Sequence, residues 1–288
     1  MPENQTSPKP LSGKLLRLIV IGVGAILLVL LMLADKTNLN SQEGRTLEAT
    51  ARPAGASALP EGKLPPLAPD EELDAWIAEL DELQGEAKKQ RLDQIVERLN
   101  ERKRYAYAAQ YAEQAVALSP DLQAKLNTGR LYQQASRLEY IASDSVLFQQ
   151  YANKAIQYLE EVTEIEPENE EGLYYLGLAY VESRNPQNSM KGILTIRKIL
   201  EINPDNAEAS YSLGMFSVQT GQFGKAEERF EKVLNLQPNN QTARYYLAYA
   251  RVQQNKSEGV KALLEEVLAK ASDPDLKQQA RNLINQIN

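Results

Sequence analysis

The chain has 288 residues, 39 acidic and 32 basic side chains and a formal net charge of −7. It contains no cysteine and no histidine, which excludes disulfides, a thiolate nucleophile, a Cys/His zinc site, a His-ligated haem and a Ser–His–Asp triad. An acidic chain without a basic domain is also a poor match for nucleic acid, and no such partner is expected.

The first predicted element is a transmembrane anchor over 15–34. Residues 18–34, LIVIGVGAILLVLLMLA, carry no charge. With Leu15, Leu16 and a snorkelling Arg17 the run reaches 20 residues. That is about 30 Å of helix, the thickness of a bilayer core. Backbone amides in such a run must bond internally, so the spanning form is a helix. Lys9, Lys14 and Arg17 precede the run. The positive-inside tendency then keeps residues 1–14 as a cytoplasmic tail and exports the rest. The expected location is the inner (plasma) membrane, single-pass, with the C-terminal part periplasmic. A cleaved signal peptide is the competing reading. Its apolar region is about 7–15 residues with small residues at −3 and −1 of the cut. Here the run is longer, a cut after Ala34 would place Met32 at −3, and no Cys follows to make a lipoprotein.

Residues 35–69 are predicted to be a flexible Pro/Ala-rich linker. They hold Pro53, Pro60, Pro65, Pro66 and Pro69 and few large apolar groups, too little to offset the entropy of ordering. As a coil they span about 30 Å, and as extended polyproline about 100 Å.

Helix begins at residue 70. Leu73, Trp76, Ile77, Leu80 and Leu83 fall on one face at the 3.6-residue period. Asp70 is placed as an N-cap and Gly85 as a stop or kink. No segment alternates with period two.

A motif then recurs. ALSP ends at Pro120, EIEP at Pro167, EINP at Pro204 and NLQP at Pro238, with spacings of 47, 37 and 34 residues. Proline stops a helix because it lacks the N–H and restricts the residue before it. Asp121, Glu168-Asn169, Asp205-Asn206 and Asn239-Asn240 follow the prolines and cap the next helix. A second motif keeps step with the first: Tyr175-Leu176-Gly177, Ser212-Leu213-Gly214 and Tyr246-Leu247-Ala248, with Gly129 in the same phase. A small residue there lets two helices approach closely.

The unit 207–240, with Leu213-Gly214, Ala226, Phe230 and Pro238, resembles a tetratricopeptide repeat, a 34-residue helix–turn–helix pattern. Ser210, Ser217 and Val233 depart from it. The unit 170–205 matches through Leu176-Gly177, Tyr180, Ile196 and Pro204, with three extra residues near Asn185-Pro186 assigned to a longer inner turn. The unit 121–169 matches at Gly129, Tyr132, Ala155, Leu159 and Pro167 and carries about 13 extra residues. Those residues, near RLEYIASDSVLFQ, read either as a binding loop or as an extension of both helices. Units 89–120 and 241–272 match more weakly, and 275–288 reads as a capping helix. The fold class is therefore all-α: a tetratricopeptide-type helical repeat solenoid over 70–288, with an N-terminal single transmembrane helix.

The resemblance implies a concave face lined by the first helix of each repeat. In this register that face holds Tyr174, Leu178 and Val181, then Tyr211, Met215 and Val218, then Tyr245, Tyr249 and Val252. Tyrosine offers large contact area at low rotamer cost, although some of these rings could instead pack between helices. Family members that clamp a terminal carboxylate use Lys/Arg and Asn at these positions. Here only Asn127 and Arg130 are left, so the expected ligand is an apolar or mixed polypeptide.

Gly221-Gln-Phe-Gly224-Lys225 lacks the spacing of a phosphate loop and falls on a repeat's inner turn. Carboxylate runs at helix starts serve the helix dipole, and the basic cluster at 101–104 reads as a solvated turn. No acid, base and nucleophile come together, so no enzyme, cofactor, metal or small-molecule substrate is expected. The reading is a membrane-anchored interaction adaptor or assembly factor whose groove binds a partner polypeptide in the cell envelope. The alternatives are a module presenting apocytochrome c for maturation, or an organelle-surface import receptor.

Overall fold

A computed structural model of the chain describes residues 64–287. The predicted tail 1–14, the anchor 15–34 and most of the linker lie outside the described residues. Among the described residues no helix is long and apolar enough to cross a membrane.

The described part is built from helices in consecutive pairs. A short leading helix, α1 (Glu71–Glu79), precedes α2 (Gly85–Glu101) and α3 (Tyr105–Leu118). The second pair is α4 (Leu122–Ser136) and α6 (Ser145–Ile165), with a one-turn helix α5 (Glu139–Ala142) between them. Next come α7 (Glu170–Glu182) with α8 (Pro186–Ile202), and α9 (Ala207–Gln219) with α10 (Phe223–Leu236). The array ends with α11 (Gln241–Gln253), α12 (Val260–Lys270) and a final helix α13 (Pro274–Ile287). Each helix packs on its hairpin partner and on a helix of the next pair, so the core is a continuous seam.

The boundaries follow from capping chemistry. Asp70, Asp121, Asn169, Asn206 and Asn240 each accept a bond from a backbone N–H in the first turn of the helix that follows. These bonds satisfy donors a helix start otherwise leaves unpaired. In the three Asn cases the cap is the second residue of the pair read from the sequence.

The small residues of the second motif sit where helices cross. A methyl group on Gly129 would lie 2.6 Å from Leu159 Cγ, on Gly177 2.3 Å from Ile196 Cγ1, and on Gly214 2.9 Å from the Phe230 ring. At the α7–α8 crossing the fit is tighter still, because a methyl on Gly192 would meet the carbonyl of Gly177 at 2.5 Å. Backbone cannot step aside as a side chain can.

The structure corrects three expectations. The linker does not stay free up to residue 69: Leu64 and Leu67 pack against the core, and Tyr107 Oη donates to the Pro65 carbonyl at 3.0 Å. An extended Pro-rich strap can dock where a tyrosine reads its carbonyl and its leucines find an apolar surface. The three extra residues near Asn185 do not lengthen the inner turn. Turns 183–185 and 220–222 are equally long, and the extra residues belong to α8, which has 17 residues against 14 in α10. Asn185 caps α8 and Pro186 opens it, a favourable site for a residue with fixed φ and no N–H. The insertion after Tyr132 is no open loop: it forms α5, whose Ile141 is buried, and the start of the 21-residue α6.

Candidate functional site

Tyr174, Leu178 and Val181 recur at helical spacing on α7, as do Tyr211, Met215 and Val218 on α9 and Tyr245, Tyr249 and Val252 on α11. All are half-buried except Tyr245, which is 9% exposed. Tyr245 is closed off in the core formed with α12 and α13, so the row it was assigned to ends at Tyr249 in accessible terms. The other eight keep part of their surface uncovered.

Their inner edges explain their order. The Tyr174 hydroxyl bonds Ser212 Oγ on the next first helix at 3.2 Å. Tyr211 meets the Phe230 ring edge-on at 5.8 Å. Tyr249 stacks near Tyr245 at 6.4 Å and meets Phe223 edge-on at 6.2 Å. Edge and offset contacts of this kind suit aromatic quadrupoles. Burial pushes Tyr174 and Tyr211 up to about 12, so both hydroxyls stay protonated at neutral pH and act as hydrogen-bonding groups.

The two residues resembling part of a carboxylate clamp are engaged with each other: Arg130 Nη2 donates to Asn127 Oδ1 at 2.6 Å. The basic cluster is also occupied. Arg98 and Arg102 both pair with Asp70, at 3.2 and 2.5 Å. The Gly221 segment is a turn with Gly221 at φ +70°, and Lys225 donates to Gln222 Oε1.

Sequence reasoning missed two polar sites. Glu182, the last residue of α7, accepts from Gln133 Nε2 at 2.7 Å and lies 3.7 Å from Arg137. Burial raises its pKa, and Arg137 and Gln133 offset that only in part. A carboxylate at a helix C-terminus opposes the macrodipole, which is the signal that could have marked it. The second site is Glu113 on α3, which accepts from Tyr132 Oη at 2.7 Å, Tyr158 Oη at 3.2 Å and Lys154. Burial works against the Glu113 charge, but these donors outweigh it and hold the pKa below the ordinary value. The partners lie 19 to 45 residues away, and no local pattern announces them.

Two open clefts lie elsewhere. One of about 420 Å³ is lined by Glu160, Leu173, Tyr180, Lys191 and Leu194 among others, and one of about 380 Å³ by Ile193, Phe216, Lys225 and Arg229 among others. Both involve the second helices, and none of the nine strip residues lines either. Among the described residues no group of three metal-ligating side chains forms.

A tetratricopeptide repeat family model matches residues 217–287, from the end of α9 to α13. Solved structures of similar fold include a thermophilic tetratricopeptide repeat protein in Thermus thermophilus, at 18% identity and a TM-score of 0.52, covering 68% of this chain and 98% of that one. MamA aligns at 18% identity with a TM-score of 0.49, over 63% of this chain and 91% of its own. YrrB, described as a tetratricopeptide repeat protein with an unusual peptide-binding site, aligns at 17% identity and a TM-score of 0.47, over 73% and 99%. No curated relative matches the chain. The described fold is an all-α solenoid of tetratricopeptide type.

Proposed function

We propose that this chain is a membrane-anchored docking protein. The strip on α7, α9 and α11 holds a partner polypeptide, and residues 15–34 keep the pair at the membrane with the solenoid on its exported side. The carrying observation is the strip itself: eight apolar or aromatic side chains, spaced along three consecutive first helices, are left half-covered. A tyrosine with its ring partly exposed and its hydroxyl protonated offers contact area and a hydrogen bond together. The tetratricopeptide-type fold, an interaction scaffold, supports the same reading. Mechanistically, tethering raises the local concentration of the partner at the membrane and needs no chemistry from the chain.

Photocrosslinkers placed at Tyr211 and Tyr249 in the full chain should trap a partner polypeptide. Tyr249 is chosen over Tyr245 because Tyr245 is closed off. The double variant Tyr211→Ala/Tyr249→Ala should release that partner, and full retention overturns the docking reading. Orientation is tested separately with a cysteine at Ser41. Labelling of that cysteine only from the cytosolic side overturns the exported placement.

A further inference from the structure

The charges around the strip indicate what kind of polypeptide completes it. α7 and α9 carry Glu170, Glu171, Glu182 and Glu208 and no lysine or arginine. Glu170 is occupied, accepting from Asn203 and Asn206 at 3.1 and 2.8 Å. Glu171 and Glu208 are exposed. Both lie near Tyr175, and Glu208 also reaches the Tyr174 hydroxyl. Their place in the first turn of a helix is accounted for by the dipole alone.

Glu182 has no such account. It ends α7, where the dipole disfavours a carboxylate, and it adjoins Val181 of the strip. Its ion-pair partner, Arg137, is 3.7 Å away with a side chain 63% exposed. Cations of the neighbouring first helices are engaged elsewhere. Lys125 pairs with Glu161, Arg130 bonds Asn127, Arg244 pairs with Glu266, and Arg251 with Glu227 and Glu231. The strip is thus apolar along its middle and acidic at both ends of α7, with little countercharge of its own.

We infer that the occupant is a basic amphipathic polypeptide segment: its apolar side chains cover Tyr174, Leu178, Tyr211 and Met215, and its flanking lysines or arginines meet Glu182 at one end and Glu171 and Glu208 at the other. The inference rests on the docking reading above and narrows it to one partner chemistry. A cation arriving at Glu182 supplies a closer countercharge than Arg137 and also suits the helix C-terminus.

The test uses the full chain in detergent and synthetic peptides of about 18 residues, long enough to form a helix on binding. One peptide has a leucine face and a lysine face, one has glutamate in place of lysine, and one is the lysine peptide scrambled so that no apolar face remains. Fluorescence anisotropy should show the lysine amphipath binding at least about 10-fold tighter than either other peptide. Glu171→Gln/Glu182→Gln/Glu208→Gln should weaken it by about 10-fold, while Glu164→Gln/Glu228→Gln/Glu265→Gln, an equal charge change on second helices, should alter it by less than about 2-fold. Equal binding of the glutamate peptide, equal binding of the scrambled peptide, or an equal loss in the control triple variant each overturns the inference. If the carboxylate triple variant binds normally while Tyr211→Ala/Tyr249→Ala does not, the basic-partner inference fails and the docking reading stands. If the tyrosine variant also binds normally, both fail.

Discussion

Glu182 and Glu113 show how environment gives two glutamates opposite effects on the same fold. Burial raises Glu182 above its unfolded value, and a single distant arginine and one amide do not restore it. Lys154, Tyr132 and Tyr158 hold Glu113 below its unfolded value despite burial. The linkage consequences differ in sign. Between its unfolded and folded pKa the native state binds more protons at Glu182 than the unfolded chain does. Stability from this residue is therefore greatest below the ordinary carboxylate range and falls as pH rises through the folded pKa. Glu113 behaves the other way, stabilising above the ordinary range and losing that contribution as pH falls through its folded pKa. Glu182→Gln keeps an acceptor for Gln133 and removes the charge. It should raise the melting temperature at pH 7 and have little effect near about pH 4, where the glutamate is largely protonated. Thermal unfolding at the two pH values checks this; a lower melting temperature at pH 7 shows instead that the charge stabilises the free protein.

At the scale of elements, the helix starts are set by side-chain caps whose secondary contacts differ. Asn169 and Asn240 also donate locally, to Glu166 and Gln237. Asn206 reaches across to Glu170 of the preceding first helix at 2.8 Å. Alanine at Asn169 or Asn240 should cost about 1 kcal/mol, the usual value of a cap. Asn206→Ala should cost about 1 kcal/mol more, because it also removes a bond to a charged group. Chemical denaturation of the three variants measures the differences, and equal losses show that the Glu170 contact contributes nothing. The positions of these caps were legible because proline, cap and small residue recur in fixed phase, and each acts within one or two turns. The 17-residue length of α8 was not legible. Its extra residues lie beside Asn185-Pro186, a pair that reads as a turn and also serves as cap and first residue of a helix. Nor was the docking of Leu64 and Leu67, which depends on Tyr107, 42 residues on from Pro65. The strip was placed in phase by the repeat register, and the burial of Tyr245 was missed because it depends on where α13 packs. The Glu182 contact joins side chains 49 residues apart, beyond any local pattern.

In the whole molecule each helix pair leans mainly on its neighbours, so stability is close to a sum of repeat and interface contributions. The last pair then depends on α13, whose Leu276, Ala280 and Leu283 are buried against the cluster holding Tyr245, Ala248, Leu264 and Val267. Burying one leucine is worth about 1.5–3 kcal/mol, so losing two with the helix that carries them removes several kcal/mol from one end of the array. Ending the chain after residue 273 should therefore raise amide hydrogen exchange across α11 and α12 by orders of magnitude while α4, α6 and α7 stay protected. Those helices lie in a separate core cluster with Tyr132, Tyr151, Leu159 and Leu176 and do not contact α13 closely. The same truncation uncovers Tyr245, so a shortened chain should also bind hydrophobic dyes where the intact one does not. Uniform loss of protection along all helices contradicts the nearest-neighbour picture, because the N-terminal pairs would then owe their order to a helix they do not touch.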